Sequence, residues 1–303
     1  MTTTNTISSR WSSRLSFVLA SAAAAVGLGN IWKFPYVMGE NGGGAFVLVY
    51  LLCIAFIGLP IMMAEVVIGR RGRHSPGYAA KSVAQESGKS SAWQLAGWLG
   101  MLTGYLVLSF YAVIAGWGAA YVAKAAQGVF TGADAEQIGN TFGQLLSSPL
   151  ELTAWHTLII VATILVVGKG VNKGLERAVR FLLPAMIALL LGIAVYSGAI
   201  GDFWQAFHFM FDPDFSKLSV NGVMIALGHS FFTLGLASGV VIMYGAYLPK
   251  ETSIVQTSIW IAVLDTFVAL LAGLAIFPLV FDFGLTPSER PCLIFPTLPI
   301  TFN

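Results

Sequence analysis

Apolar residues run in seven blocks along this chain, near 15–36, 44–69, 95–123, 154–168, 178–200, 219–246 and 253–281. A helix needs roughly 20 apolar residues to cross a bilayer, so the pattern predicts seven membrane spans, the fourth of them short. Two blocks are interrupted. The first contains Ala25-Val26-Gly27-Leu28-Gly29-Asn30-Ile31-Trp32-Lys33-Phe34-Pro35, where two glycines, an amide, a cation and a proline replace uniformly apolar helix. The sixth contains Gly228-His229-Ser230-Phe231-Phe232-Thr233-Leu234-Gly235-Leu236-Ala237-Ser238-Gly239. Backbone released from helical hydrogen bonding at membrane depth must be buried in protein or line a polar cavity. At a single break, small residues can simply admit close helix packing. Two breaks five spans apart point instead to a ligand site, where free carbonyls and half-helix ends bind ions and charged solutes.

Composition supports the class: 56% of residues are hydrophobic and only 10% charged, which places the chain outside the usual soluble range. Charge placement then orients the spans. Arg10 and Arg14 precede span 1; Arg70, Arg71, Arg73, Lys81 and Lys89 follow span 2; Lys169, Lys173, Arg177 and Arg180 follow span 4; Lys250 follows span 6. The alternate loops carry Asp134, Glu136, Asp202, Asp212, Asp214, Asp282 and Glu289. The positive-inside rule therefore predicts a cytoplasmic N-terminus in a multi-pass plasma-membrane protein. The net charge of +2 averages over this asymmetry and gives no reason to expect a nucleic-acid partner. Arg10, Arg14, the run from Leu15 and Ala20-Ser21-Ala22 also resemble a cleavable signal peptide, but the apolar segment runs on into Asn30 and Lys33. No phosphate loop, zinc pattern or nucleophile–base pair appears, so neither an enzyme nor an organic cofactor is expected. Cys53 and Cys292 imply no disulfide framework.

Ionisable groups inside a membrane are functional candidates by default. Lys33, Glu65 and Asp265 stand out. Asp265, deep in span 7, needs a cation or a proton, and with Asn30 and Thr233 it offers side-chain oxygens from three spans to a hard ion such as sodium.

The stretches VGLGNIWKFP, ENGGGAF (Glu40 to Phe46) and GLPIMMAEVVIGR (Gly58 to Arg70) resemble the neurotransmitter:sodium symporter family, and the whole chain is similar to its bacterial amino-acid transporters. The resemblance implies an all-α membrane protein with the inverted-repeat, leucine-transporter-like fold, helices 1 and 6 being broken. This family is itself a type example of that architecture. It also implies a domain plan: a cytoplasmic segment 1–14, a first five-helix repeat 15–200, an extracellular loop 201–218, the start of the second repeat 219–281, and an extracellular segment 282–303.

By the same resemblance, Ala25, Asn30, Thr233 and Asp265 form a first sodium site with the substrate carboxylate, and carbonyls of Ala23 and Val26 form half of a second. Gly27 stands where monoamine carriers have an aspartate, so the substrate should bring its own carboxylate, to the amides of Leu28 and Gly29 and the Tyr111 hydroxyl. Its ammonium would meet carbonyls of Ala25, Phe232 and Thr233. Val107, Tyr111, Phe232, Gly235 and Ser238 would line the side-chain pocket; the small Gly235 and Ser238 leave room for an apolar or aromatic amino acid. Asp265, near Tyr50 and Ser230, would replace the chloride that animal members use. Lys33 and Phe232 resemble the outer gate, and Glu65 resembles the carboxylate that caps freed amides of helix 6. The triglycine Gly42-Gly43-Gly44 is expected to serve close packing rather than phosphate binding.

Two departures qualify the resemblance. Ser8 stands where the family has an inner-gate arginine, leaving that residue unassigned. The sequence covers helices 1–7 only, so the expected activity is sodium-coupled, chloride-independent uptake with the C-terminal part absent. The alternative is a truncated, non-transporting remnant or an interaction partner of the same family. Membrane lipid is an expected partner, and the oligomeric state stays open between monomer and homodimer.

Overall fold

A computed structural model describes residues 11–284; Ser8, Arg10, Glu289 and Cys292 lie outside them. The first span is a bent pair, α1 (Arg14–Ala25) and, after the π-helical turn Gly29–Lys33, α2 (Phe34–Glu40), meeting at 50°. Ser13 caps α1 by accepting from the Ser16 amide at 3.1 Å. The second span is α3 (Gly44–Cys53) and α4 (Leu59–Gly72), joined without a break in direction by a π-helical turn, Ile54–Gly58. A short amphipathic α5 (Pro76–Glu86) then leads into the long α6 (Gln94–Ala126).

A capping box opens α7 (Ala135–Ser147): Asp134 accepts from the Gln137 amide at 2.8 Å while Gln137 reaches back to the Asp134 amide at 3.1 Å. The fourth and fifth spans are α8 (Pro149–Val167) and α9 (Glu176–Ile200), separated by another π-helical turn, Val171–Leu175. The segment 201–218, expected to be an extracellular loop, holds a helix, α10 (Phe203–Phe211), capped by Asp202. The last spans are the broken pair α11 (Val220–Thr233) and α12 (Val240–Ala246), followed by α13 (Ile254–Asp282).

Burial ranks these helices. No residue of α8 is buried, whereas α13 is buried along most of its length, with Asp265, Val268, Ala269, Ala272 and Phe277 all essentially inaccessible. So α13 is the axis against which α1, α9 and α10 pack, and α8 lies at the rim with Ile164, Leu165 and Val167 facing outward. Large apolar side chains that stay exposed on α6, α8 and α9 suit a hydrocarbon solvent. The triglycine also gains a physical reason. A Cβ on Gly43 would lie 2.3 Å from the Phe209 carbonyl oxygen and one on Gly44 2.6 Å from that of Asp212, so α10 can settle on the start of α3 only without side chains there.

Candidate functional site

The break in the first span is built from its own sequence. Helix α1 ends where the Val26 amide donates to Ala22 at 2.6 Å. The amides of Asn30 and Ile31 turn back to the Gly27 carbonyl at 3.1 and 3.2 Å, and the Asn30 side-chain oxygen accepts from the Gly27 amide at 3.0 Å. Asn30 thus satisfies a donor that the unwinding exposes.

The second break follows different rules. Between α11 and α12 the backbone passes through the left-handed region at Gly235 (φ 64°), Ala237 (φ 57°) and Gly239 (φ 76°). The glycines adopt it freely, but Ala237 does so at a cost. Its amide donates to Glu65 Oε1 at 2.7 Å, so a carboxylate from α4 holds the strained residue. The Ser238 hydroxyl bonds to the Gly235 carbonyl at 2.5 Å and closes the turn.

Between the two breaks, side chains from three helices meet in full burial. Asn30 Nδ2 donates to Thr233 Oγ1 at 3.1 Å, to Asp265 Oδ1 at 2.8 Å and to the Asp265 carbonyl at 3.0 Å. Thr233 Oγ1 lies 3.0 and 2.9 Å from the two Asp265 carboxylate oxygens. Thr233 Oγ1, Asp265 Oδ1 and the Asp265 carbonyl therefore converge on the Asn30 amide nitrogen, in an environment where an unpaired carboxylate would be costly. No group of three His, Cys, Asp or Glu placed to hold a metal ion occurs among the described residues. The oxygen donors here suit a hard cation rather than a zinc- or copper-type ion.

Tyr50 and Ser230, the other residues expected near Asp265, are both fully buried. The Tyr50 hydroxyl faces Asp265, Thr233 and Thr266 without completing a hydrogen bond, while the Ser230 hydroxyl turns back to the Leu227 carbonyl at 2.7 Å. Sequence reasoning overlooked His229. Its ring is buried between Phe34 and Tyr50, at centroid distances of 5.7 and 5.5 Å, and neither nitrogen has a partner among the described residues. The available signal was its place one helical turn before Thr233 on α11.

Beside this cluster lies an open cavity of about 730 Å³. Ala23, Ala25, Val26 and Leu28 from the first break line one wall, and Val107 and Tyr111 from α6 line another. Phe232, Gly235 and Ser238 come from the second break. Gly29 sits just behind: a Cβ there would lie 3.0 Å from the Phe232 ring and 3.3 Å from the Tyr111 hydroxyl. The Lys33 ammonium stands 4.2 Å from the centroid of Phe232, a cation–π contact, so the two expected gate residues touch.

At the opposite end, the N-terminal segment is fastened twice. The Trp11 indole is buried against Tyr244 and Tyr247, and donates to the Tyr244 carbonyl at 3.2 Å. The Ser12 hydroxyl bonds to buried Glu176, and the Arg180 guanidinium bridges Glu176, Ser12 and Ser16 at 2.7, 2.9 and 2.7 Å. These contacts tie the start of α1 to α9; the Glu176–Arg180 spacing of four on one helix was the legible hint.

The profile of the "Sodium:neurotransmitter symporter family" matches residues 8–141 and 134–285. An uncharacterized sodium-dependent transporter, YhdH, of Bacillus subtilis (strain 168) is 40% identical over 97% of this chain and 64% of its own length. A second, from Haemophilus influenzae, is 35% identical over 100% of this chain and 68% of its own. The crystal structure of MhsT in complex with L-phenylalanine superposes with a TM-score of 0.89 at 43% identity, covering 97% of this chain and 66% of that one. This chain thus spans about two thirds of the length of these relatives. With the family profile matched over residues 8–141 and 134–285 and the fold shared with MhsT, the chain belongs to the sodium:neurotransmitter symporter family.

Proposed function

We propose that this chain takes part in sodium-coupled uptake of a neutral amino acid, apolar or aromatic, by alternating access and without chloride. The observation that carries this reading is the convergence of Asn30, Thr233 and Asp265 beside a cavity bounded by both breaks. In this reading their oxygens and the Ala25 carbonyl hold one sodium ion, and carbonyls of Ala23 and Val26 contribute to a second. The substrate carboxylate meets the amides of Leu28 and Gly29 and the Tyr111 hydroxyl. Its ammonium meets the carbonyls of Ala25, Phe232 and Thr233, and its side chain enters the space bounded by Val107, Gly235 and Ser238. MhsT holds L-phenylalanine, and relatives 25% identical to this chain are named as neutral amino-acid transporters, both of which favour this substrate class.

Asp265 brings a fixed negative charge to the site, so no bound anion is required to offset sodium. Sodium and substrate together stabilise the closed state, and release follows opening toward the cytoplasm. In the same reading the N-terminus faces the cytoplasm of a bacterial cell and the chain lies in the inner membrane.

Radiolabelled phenylalanine binding to the purified protein tests this. Binding is expected in sodium chloride and sodium gluconate but not in potassium chloride. Asp265→Asn should weaken it roughly tenfold or more, since losing a charged ligand costs at least about 1.4 kcal/mol, and chloride should restore part of the loss. Sodium-independent binding, a preference for glycine or aspartate, or full activity of Asp265→Asn without chloride would overturn the reading.

A further inference from the structure

Helix α8 ends at Val167, and the chain re-enters α9 through Gly170, at φ 78°, and the π-helical turn Val171–Leu175. This detour gathers Lys169, Lys173, Arg177 and Arg180 around one open cavity of about 690 Å³, with Glu176 also in its lining. Arg180 is bonded to Glu176 at 2.7 Å, so that pair is electrically matched. Lys169, Lys173 and Arg177 are exposed and form no ion pair among the described residues. Three like charges around one concave surface repel one another and attract an anion.

Position decides which anion. The cavity lies at the ends of two membrane-length helices, where a bilayer matched to their apolar length would carry its headgroups. The apolar turns that adjoin it, Ile164, Leu165 and Val167 on α8 and Phe181 and Leu182 on α9, expose 58–74% of their surface. A free phosphate makes no use of such a surface. A phospholipid places its phosphodiester beside the cations and its acyl chains along these side chains.

We propose that this cavity binds the headgroup phosphate of an anionic phospholipid, held by Lys169, Lys173 and Arg177. Arg177 offers a planar fork of donors and the two lysines act as point charges. The assignment rests on membrane placement and not on the substrate reading, so the phenylalanine experiment and the one below fail independently. The neighbouring Arg180 joins the site to the contact that holds the start of α1.

Native mass spectrometry of the whole chain, released from detergent with added phosphatidylglycerol, phosphatidylcholine or inorganic phosphate, reads the site directly. Phosphatidylglycerol should be retained in preference to phosphatidylcholine. Each cation near an anionic headgroup contributes roughly fivefold in affinity, so Lys169→Gln/Lys173→Gln/Arg177→Gln should lower retention by about 100-fold. Lys169→Arg/Lys173→Arg, which keeps the charge, should retain the lipid, and this excludes misfolding as the cause. Lys81→Gln/Lys89→Gln, on another basic loop, should leave retention unchanged. If that control loses as much lipid as the triple variant, attraction is diffuse and the site is overturned. Inorganic phosphate binding as well as the lipid, or phosphatidylcholine being held equally, would overturn it too.

Discussion

Glu65 uses its two carboxylate oxygens differently: Oε1 accepts from the strained Ala237 amide at 2.7 Å, and Oε2 is buried with no partner among the described residues. Its worth is therefore one hydrogen bond to a charged acceptor. Glu65→Ala should destabilise the protein by about 1–2 kcal/mol, the cost of an amide left unmatched, while Glu65→Gln, which keeps an acceptor, should lose less than half of that. Thermal unfolding in detergent measures both, and equal losses would show that the contact does not depend on the acceptor. Gly29 makes a complementary case, since an added methyl must displace the Phe232 ring or the Tyr111 hydroxyl. Gly29→Ala should weaken phenylalanine binding by about tenfold, roughly 1.4 kcal/mol, with the melting temperature nearly unchanged. At this scale the sequence was informative where a polar residue interrupts an apolar run. Asn30, Lys33, Glu65 and Asp265 announce themselves in that way. His229 did not, because it sits among other small and polar residues and its isolation exists only in three dimensions.

Elements pack here through glycines whose role no periodicity reveals. A Cβ on Gly69 would lie 1.9 Å from the Ile242 carbonyl oxygen, so α4 and α12 meet backbone to backbone. Gly69→Ala forces them apart and should cost about 3 kcal/mol, at the upper end of overpacking penalties, read as a lowered melting temperature. The inner end of α1 depends instead on polar contacts: Ser12 and Ser16 reach Glu176 and Arg180 on α9. Glu176→Ala should accelerate amide hydrogen exchange across α1 by about tenfold, corresponding to roughly 1.4 kcal/mol of local stability, without affecting α13. Unchanged exchange in α1 would place the restraint on Trp11 alone. The apolar spans were legible from length and hydropathy, but α5, α7 and α10 were not. They are short, partly polar and lie between spans, although Asp134 with Gln137 and Asp202 before an aromatic run are both start signals present in the sequence.

Across the whole molecule, charge separates along the bundle. At one end the guanidinium of Arg70 bonds to the Thr252 carbonyl at 2.7 Å and that of Arg73 to the Leu248 carbonyl at 3.3 Å, so the basic C-terminal end of α4 also ties down the chain beyond α12. Lys169, Lys173, Arg177 and Arg180 cluster around the start of α9. The alternate connections carry Asp134, Glu136, Asp202, Asp212 and Asp214. Lysine and arginine near span ends resist translocation, whereas acidic residues contribute little to orientation. The basic connections should therefore stay in the cytoplasm. Ser87, after α5, and Ser147, at the end of α7, are exposed on connections predicted to lie on opposite sides. In a Cys53→Ala/Cys292→Ser background, a membrane-impermeant maleimide added to intact cells should label Ser147→Cys and leave Ser87→Cys unlabelled until the cells are opened. The reverse pattern would invert the orientation. It would also move the proposed lipid cavity to the outer leaflet while leaving its chemistry intact.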